Sequence, residues 1–466
     1  MKRYSRIITT ILPVLACAML AGGTALYAQD AGAPAPAAPV AAAPEAAAAP
    51  ATPAVPAPPK IDTGDTAWVL ISTALVLAMT APGLALFYAG MVRSKNALGT
   101  IMQSFIILCL ISIQWVLWGY SLAFGPDKGH IIGGLEWLGL NGVGLEPNAD
   151  YAATIPHQAF MIFQMMFAVI TPALITGAFA ERVKFSSFLV FTLLWATFIY
   201  DPLAHWVWAV GGWVRNLGAL DFAGGTVVHI SSGFSALACA LVLRKRMGYG
   251  KEHMAPHNLP MTVLGASLLW FGWFGFNAGS AVASGALATS AFVATNTATA
   301  AAALAWMIVE WMYRGKPTVL GVASGAVAGL VAITPASGFV GPMASIVIGL
   351  GAGVFCYLAV LWKSKLGYDD ALDVVGIHGI GGIWGALATG LFASKAINAA
   401  GADGLFYGNP AQLGIQALAV LISVVFAFVG TFVILKLVDG LMGLCVSDEE
   451  ERMGLDLSQH DERAYS

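Results

Sequence analysis

Residues 98–124 read LGTIMQSFIILCLISIQWVLWGYSLAF, a run that holds no Asp, Glu, Lys, Arg or His. A helix rises about 1.5 Å per residue, so about 20 apolar residues cross the roughly 30 Å hydrocarbon core of a bilayer. A transmembrane strand would need only about 10 residues of alternating hydrophobicity. The length of this run therefore predicts a membrane-spanning helix.

Ten further apolar stretches of comparable length accompany this one. Together the stretches lie near 67–91, 98–124, 156–179, 186–209, 222–243, 260–283, 286–312, 318–336, 340–362, 371–394 and 411–437. The chain of 466 residues is 58% hydrophobic and only 10% charged, whereas soluble domains carry roughly 25% charged residues. We therefore predict an all-α polytopic membrane protein with eleven transmembrane helices, which excludes an ordinary soluble enzyme.

The charge balance and the cysteines exclude further classes of protein. Lys and Arg number 22 against 25 Asp and Glu, for a net charge of −3, so no basic surface for nucleic acid is expected. The five Cys residues are scattered and none forms a CxxC pair. The sequence thus predicts neither a disulfide framework nor a metal site, and we expect no cofactor.

The N-terminus has the organisation of a secretory signal peptide. Three basic residues precede an apolar run that ends near Ala21, and small residues follow. The next segment is almost entirely Ala and Pro, a composition typical of unstructured tails. The predicted parts are a signal peptide (1–28), an Ala/Pro-rich periplasmic tail (29–61), a transmembrane domain (62–437) and a cytoplasmic tail (438–466).

The basic residues predict the orientation in the membrane. Alternate loops hold twelve of them, namely Arg93, Lys95, Arg182, Lys184, Arg244, Lys245, Arg246, Lys251, Arg314, Lys316, Lys363 and Lys365. The intervening loops hold only Lys128, Arg215 and Lys395. The positive-inside rule then puts the mature N-terminus in the periplasm and the C-terminus in the cytoplasm of a cell with an inner membrane.

Two histidines lie within the apolar stretches. His229 follows Asp221 by eight residues in DFAGGTVVHI, and His378 follows Asp373 by five in DVVGIHGIGGIWG. If segments 1–5 and 6–10 form an inverted repeat, with segment 11 added, both histidines approach the interior from opposite sides. Ionisable residues inside a membrane are costly and usually functional. The alternatives are two unrelated core histidines bonded to backbone carbonyls, or a metal pair, which lacks a third ligand at suitable spacing.

Asp221 permits two interpretations that do not exclude each other. It lies at the start of a segment, before two glycines, where a carboxylate caps a helix and contributes about 1 kcal/mol. The same carboxylate would also favour a nearby cation.

Aromatic residues and one hydroxyl are placed near the outer ends of their segments. Phe163 and Phe167 share one helix face, Phe276 and Ser280 share another, and Trp208 ends the fourth segment. Taken alone, the tryptophan is typical of the interfacial belt and the phenylalanines of a helix core. Together they suit a small cation, because ring faces attract a desolvated cation by about 2 kcal/mol and a hydroxyl accepts its hydrogen bond.

Several long motifs resemble the ammonium transporter family, which includes relatives of the Rh proteins. The resemblance covers about residues 62–466 and rests on LFYAGMVRSKN (86–96), GAFAERVKF (177–185), AHWVW (204–208), DFAGGTVVHI (221–230), WFGFNAGS (273–280), DDALDVVGIHGIGGIWG (369–385) and SDEEERMGLDLSQHDERAY (447–465). It implies an eleven-helix inverted 5+5 bundle with one pore in each subunit of a homotrimer.

The resemblance also implies roles for individual residues. The outer recruitment site for ammonium or methylammonium would consist of Trp208, Phe167 and Ser280, with the Asp221 carboxylate beside it. Phe167 and Phe276, with Phe163 next to them, would close the pore. His229 and His378 would line it as paired histidines. A PII-type signalling protein would bind the cytoplasmic face, although Cys445 stands where relatives commonly carry a basic residue.

The mechanism implied is transport rather than catalysis. A bare ion near the bilayer centre costs at least about 3 kcal/mol, so the cation would bind outside, lose its proton and cross as ammonia. Two adjacent imidazoles could relay that proton. An intramembrane hydrolase is disfavoured because no GxSxG or HExxH occurs, and a sensor because the tail is short. A Rh-type gas channel is the nearest alternative, but a gas needs no aromatic cation site.

Overall fold

The fold is known from a computed structural model that describes residues 60–465. The predicted signal peptide and nearly all of the Ala/Pro-rich tail lie outside the described residues. Within them, ten helices are long and apolar enough to cross a membrane, and Val319–Ile333 is a shorter apolar helix. The predicted set of eleven helices in a multi-pass membrane protein is confirmed.

The helices follow the predicted apolar stretches closely. In chain order they are α1 Thr63–Met91, α2 Ser94–Phe124, α3 His157–Phe179, α4 Phe185–Asn216, α5 Gly225–Val242, α6 Leu259–Gly279, α7 Ala286–Arg314, α8 Val319–Ile333, α9 Pro342–Leu366, α10 Val375–Phe392 and α11 Pro410–Met442. Helix α4 is interrupted just after Trp208, where Ala209 takes an extended conformation.

Several helix ends differ from the predicted stretches, and at three of them the backbone geometry gives the reason. Helix α5 begins at Gly225 rather than 222, because Gly224 before it has a φ of 112°. Helix α10 begins at Val375 rather than 371, because Asp373 has a φ of 64°. Helix α11 continues past 437 to Met442, where Gly443 with a φ of 69° ends it.

The two five-helix halves have the same construction at their fifth helices. Both α5 and α10 open with a π-helical turn, Gly225–Ile230 and Val375–Ile380, and each turn carries one of the two histidines. A Cβ atom on Gly233 of α5 would lie only 2.2 Å from the backbone nitrogen of Gly379 in α10. The absence of a side chain therefore allows the two helices to cross in contact, as the inverted 5+5 arrangement requires.

The irregular segments pack at the two ends of the bundle. Two small antiparallel hairpins occupy the connection between α2 and α3; their strands are β1 Asp127–Lys128 with β2 Ile132–Gly133, and β3 Pro147–Asn148 with β4 Ala152–Pro156. At the opposite end, the C-terminal tail forms α12 Asp448–Met453 and α13 Leu455–His460. Cys445 forms an antiparallel bridge with Val183, which holds the start of the tail against the α3–α4 loop.

Candidate functional site

A cavity of about 410 Å³, here called the vestibule, opens beside the end of α4, the end of α6 and the start of α5. Its lining includes Trp208, Phe167, Ser280 and Asp221, the four residues predicted to bind a cation. It also includes Gln164, which the sequence analysis did not single out. Residues from α3, α4, α6 and the α4–α5 loop thus meet at one place.

The lining of the vestibule brings the rings of Trp208 and Phe167 together with the Ser280 hydroxyl. The rings of Trp208 and Phe167 are nearly perpendicular, with an interplanar angle of 88° and centroids 5.8 Å apart. The Trp208 Nε1–H donates to the Asp221 carbonyl oxygen at 3.0 Å, which fixes the indole. Ser280 donates its hydroxyl proton to the Phe276 carbonyl oxygen at 2.8 Å. The Ser280 oxygen therefore keeps lone pairs that can accept a hydrogen bond from a cation.

Two phenyl rings separate the vestibule from the histidines. Phe167 and Phe276 stack with centroids 4.2 Å apart and an interplanar angle of 27°. Both rings are buried. Phe163 packs against Phe167 with ring centroids 5.1 Å apart and an interplanar angle of 70°. It is also buried, next to Gly279. Phe163 thus supports Phe167 from the side and does not itself stack on Phe276.

The two histidines lie in contact inside the bundle. Their Nδ1 atoms are 3.2 Å apart and their ring centroids 5.3 Å apart. Since one Nδ1 must donate and the other accept, the two rings hold different tautomers when both are neutral. The His229 Nε2 atom is buried without a hydrogen-bond partner among the described residues. The pair bonds to itself, which differs from the alternative of two histidines bonded to backbone carbonyls.

Trp273 is a neighbour of the histidine pair that the sequence analysis missed. Its ring stacks on His229 with centroids 5.4 Å apart and an interplanar angle of 21°, and its Nε1–H donates to the Thr334 hydroxyl at 2.9 Å. Trp273 lies one helical turn before Phe276, so the shared face of α6 was the available signal. Among residues 60–465, no group of three or more His, Cys, Asp or Glu could hold a metal ion.

Asp221 caps α5 more completely than an ordinary N-cap residue. Its Oδ1 accepts from the N–H groups of Gly224 and Gly225 at 2.8 and 2.6 Å. Its Oδ2 accepts from the N–H groups of Thr226 and Val227 at 2.8 and 3.3 Å, and from the Thr226 hydroxyl. Both carboxylate oxygens are therefore fully used by the start of α5.

In the second half, the Asp370 carboxylate lies at the position that Asp221 occupies in the first half. The Asp370 Oδ2 accepts from the Val375 N–H at 2.8 Å, at the start of α10. Asp373 instead pairs with Lys363. The signal in the sequence was the spacing, because Asp221 precedes His229 and Asp370 precedes His378 by the same eight residues.

The sequence matches the profile of the Ammonium Transporter Family over residues 67–465. It is 57% identical over 405 residues to an ammonium transporter of Bacillus subtilis, which covers 86% of this chain and 98% of that protein. It is 51% identical over 403 residues to ammonium transporter Amt1 of Archaeoglobus fulgidus, covering 86% and 99%. The crystal structure of Candida albicans Mep2 superposes with a TM-score of 0.79 at 37% identity, covering 84% of this chain and 88% of that one.

Proposed function

The chain belongs to the ammonium transporter family, and on that premise we propose that it binds ammonium in the vestibule, deprotonates it and conducts ammonia past two histidines. One observation carries this proposal, an unbroken succession of ring contacts. The ring centroids of Trp208 and Phe167 are 5.8 Å apart, and those of the stacked Phe167 and Phe276 are 4.2 Å apart. The ring centroid of Phe276 lies 6.2 Å from that of His229, and His229 is hydrogen-bonded to His378. The succession leads from an open cavity to the buried imidazoles.

Recruitment of ammonium depends on a difference in polarity. The vestibule can bind a cation, whereas the rings beneath it are apolar. Ammonium can be attracted by the faces of Trp208 and Phe167 and donate a hydrogen bond to Ser280, a combination worth about 2 kcal/mol when the cation is desolvated. The next step inward meets only the buried ring of Phe276. The phenyl side chain itself offers no hydrogen-bond acceptor to replace the lost water, so the charged form stops and neutral ammonia continues.

The histidine pair would then serve ammonia and the proton in different ways. Each imidazole offers one donor and one acceptor, and the hydrogen bond between the two rings uses one nitrogen of each. The remaining nitrogens can bond to ammonia in an otherwise apolar passage. A proton passed from one ring to the other would let charge cross the membrane separately from ammonia.

The decisive experiment replaces both imidazoles and measures two fluxes. We expect the double variant His229→Leu, His378→Leu in proteoliposomes to lose labelled methylammonium uptake or to leak potassium. A matched control is His253→Leu, which changes an exposed loop histidine. Trimer assembly is checked by gel filtration. Wild-type values for both fluxes in the double variant would refute the role of the pair.

The assembly, location and partners are proposed from the sequence. The twelve basic residues of alternate loops favour a cytoplasmic C-terminus and a periplasmic mature N-terminus in the inner membrane, preceded by a cleaved signal peptide. We propose a homotrimer with one pore per subunit. A PII-type protein is the proposed partner at the cytoplasmic face, which includes the α3–α4 loop and the tail from Cys445 onward. The cell would use the protein for nitrogen uptake.

A further inference from the structure

Asp370 is a buried carboxyl group that the proposed mechanism does not use. It lies just before α10 and has no solvent-exposed surface. Its Oδ2 accepts the Val375 N–H, but its Oδ1 has no hydrogen-bond partner among the described residues. Burial raises the pKa of Asp370 to about 6, although the nearby Lys363 acts in the opposite direction. A carboxyl group of this kind can gain and lose a proton close to neutral pH.

The comparison with Asp221 shows that an unpaired carboxyl oxygen before the histidine-bearing helix is not a general property of the repeat. Asp221 and Asp370 each lie eight residues before a histidine of the buried pair. Four backbone N–H groups and one hydroxyl stabilise the Asp221 carboxylate. On Asp370, one oxygen is left unpaired. Equivalent positions therefore hold one carboxyl group with both oxygens bonded and one with an unpaired oxygen.

Groups from several elements face Asp370 and set the balance between its protonated and ionised forms. Those that interact with it electrostatically are Tyr88 of α1, Arg182 of the α3–α4 loop, Cys239 of α5, Tyr249 of the α5–α6 loop, Lys363 of α9, and Tyr368 and Asp373 of its own loop. Lys363 and Arg182 favour the carboxylate, and Asp373 opposes it. The Lys363 ammonium group donates to the Asp370 backbone carbonyl at 2.7 Å and also pairs with Asp373, so it does not neutralise Asp370 directly.

We propose that Asp370 is the proton acceptor at the cytoplasmic end of the pore, receiving the proton that ammonium loses after it has crossed the histidine pair. This inference rests on the proposed function. The N–H bond of a His378 imidazolium breaks, water carries the proton past the eight-residue segment that separates the two side chains in sequence, and an O–H bond forms at the Asp370 Oδ1. Loss of that proton to cytoplasmic water, as hydronium, restores the carboxylate. A group with a pKa near the working pH is suited to both steps.

The test separates charge movement from substrate movement in the full-length protein. Proteoliposomes with wild type, Asp370→Asn, Asp370→Glu or the control Asp448→Asn, which changes an exposed carboxylate of the C-terminal tail, receive an ammonium pulse, and the current is recorded beside labelled methylammonium uptake. We expect Asp370→Asn to lower the current by about 100-fold or more. This is the lower end of the range of effects expected when a positioned proton-transfer group is removed. We expect Asp370→Glu to retain a current with a shifted pH dependence, and Asp448→Asn to behave as wild type.

Infrared spectroscopy gives a readout that a purely structural cap would not change. The carbonyl band of a protonated carboxylic acid should titrate near pH 6 in wild type and in Asp448→Asn, and be missing in Asp370→Asn. A wild-type current in Asp370→Asn, or the same titrating band in that variant, would overturn the inference. If Asp370→Asn does not assemble, an unchanged pH dependence in Asp370→Glu overturns it instead. The absence of any ammonium-evoked flux in wild type would refute the proposed function itself.

Discussion

The Asp221 side chain shows how one residue can serve structure and electrostatics together. At an ordinary N-cap, Asn replaces Asp at little cost because it caps about as well. Asp221 differs, since both of its carboxylate oxygens accept bonds from N–H or O–H donors. An Asn side chain would place its NH₂ group against some of these donors and leave them unsatisfied.

We therefore expect Asp221→Asn to lose stability as well as transport. The loss should be about 1–3 kcal/mol, the cost of buried donors without partners. Thermal unfolding in detergent measures it. Asp150→Asn is the control, because Asp150 also lines the vestibule but is exposed. A melting temperature equal to that of Asp150→Asn, with transport lost, would show that the charge alone matters.

Trp208 is expected to contribute to affinity rather than to folding. Trp208→Leu removes a ring face of the vestibule, so the half-saturation concentration for methylammonium should rise about tenfold, equivalent to about 1–2 kcal/mol. Trp206→Leu is the matched control. Trp206 lies on the same helix, also donates its indole N–H to a backbone carbonyl, and packs on Phe426 outside the vestibule. Equal half-saturation values in the two variants would assign Trp208 to the interfacial belt.

The identity of the site residues could be predicted from the sequence, but their pairing could be predicted only in part. The family motifs brought His229, His378 and the vestibule residues to attention. The spacing of Asp373 from His378 was noted, but the role of Asp370 at the start of α10 was not predicted. The left-handed φ of 64° that turns Asp373 toward Lys363 leaves no trace in composition or periodicity.

At the scale of helices, apolar length predicted the number and order of the elements. It placed the starts of α5 and α10 a few residues early, because hydropathy does not register backbone dihedral angles. Gly224, with a φ of 112°, belongs to an apolar stretch yet cannot belong to the helix. The π-helical turns that carry both histidines were likewise beyond a pattern of hydrophobicity.

The crossing of α5 and α10 is expected to be intolerant of even one methyl group. Gly233→Ala would force the helices apart, because the new Cβ would lie 2.2 Å from the Gly379 nitrogen, next to His378. We expect a loss of about 1–3 kcal/mol in stability and a larger loss in uptake. Melting temperature and methylammonium uptake measure the two effects. Gly414→Ala in α11 is the control, since nothing lies within 4 Å of its added Cβ.

The Gly233→Ala variant is interpreted by comparing its melting temperature with its methylammonium uptake. Because the substitution moves one histidine relative to the other, uptake should fall in molecules that remain folded. Wild-type uptake by folded Gly233→Ala would mean that the distance between the imidazoles is not critical.

At the scale of the whole molecule, a buried ion network joins segments that are far apart in sequence. Arg246 bonds to Asp369 at 2.7 Å and lies 3.5 Å from Glu181. Glu181 pairs with Arg93 at 2.7 Å. Arg93 also lies 3.9 Å from Glu451 of the C-terminal tail. Four loops and the tail are thereby held together at the proposed cytoplasmic face.

We expect Asp369→Asn to destabilise the protein by about 3–5 kcal/mol, because it leaves Arg246 buried without its partner. The control Asp448→Asn removes an exposed pair with Arg244 and should cost less than about 1 kcal/mol. Melting temperatures of the two variants test this, and equal values would contradict it.

The same network predicts a dependence on pH. Burial acts to raise the pKa of Asp369, but its bonds to Arg246 outweigh that effect and hold the pKa below the usual value. A lowered pKa means that this stabilisation is present above about pH 4 and is lost as the pH falls further. The wild type should therefore lose more stability than Asp369→Asn on acidification below that value.

The stacked pair of Phe167 and Phe276 has a consequence for temperature. No molecule fits between rings whose centroids are 4.2 Å apart, so on the proposed pathway each passage would require a buried ring to turn aside. Turning a ring in a close-packed interior requires thermal activation that diffusion through an open aqueous channel does not. Uptake should consequently slow on cooling more steeply in wild type than in Phe276→Ala, and a cell in cold water would obtain less nitrogen than the viscosity of water alone dictates.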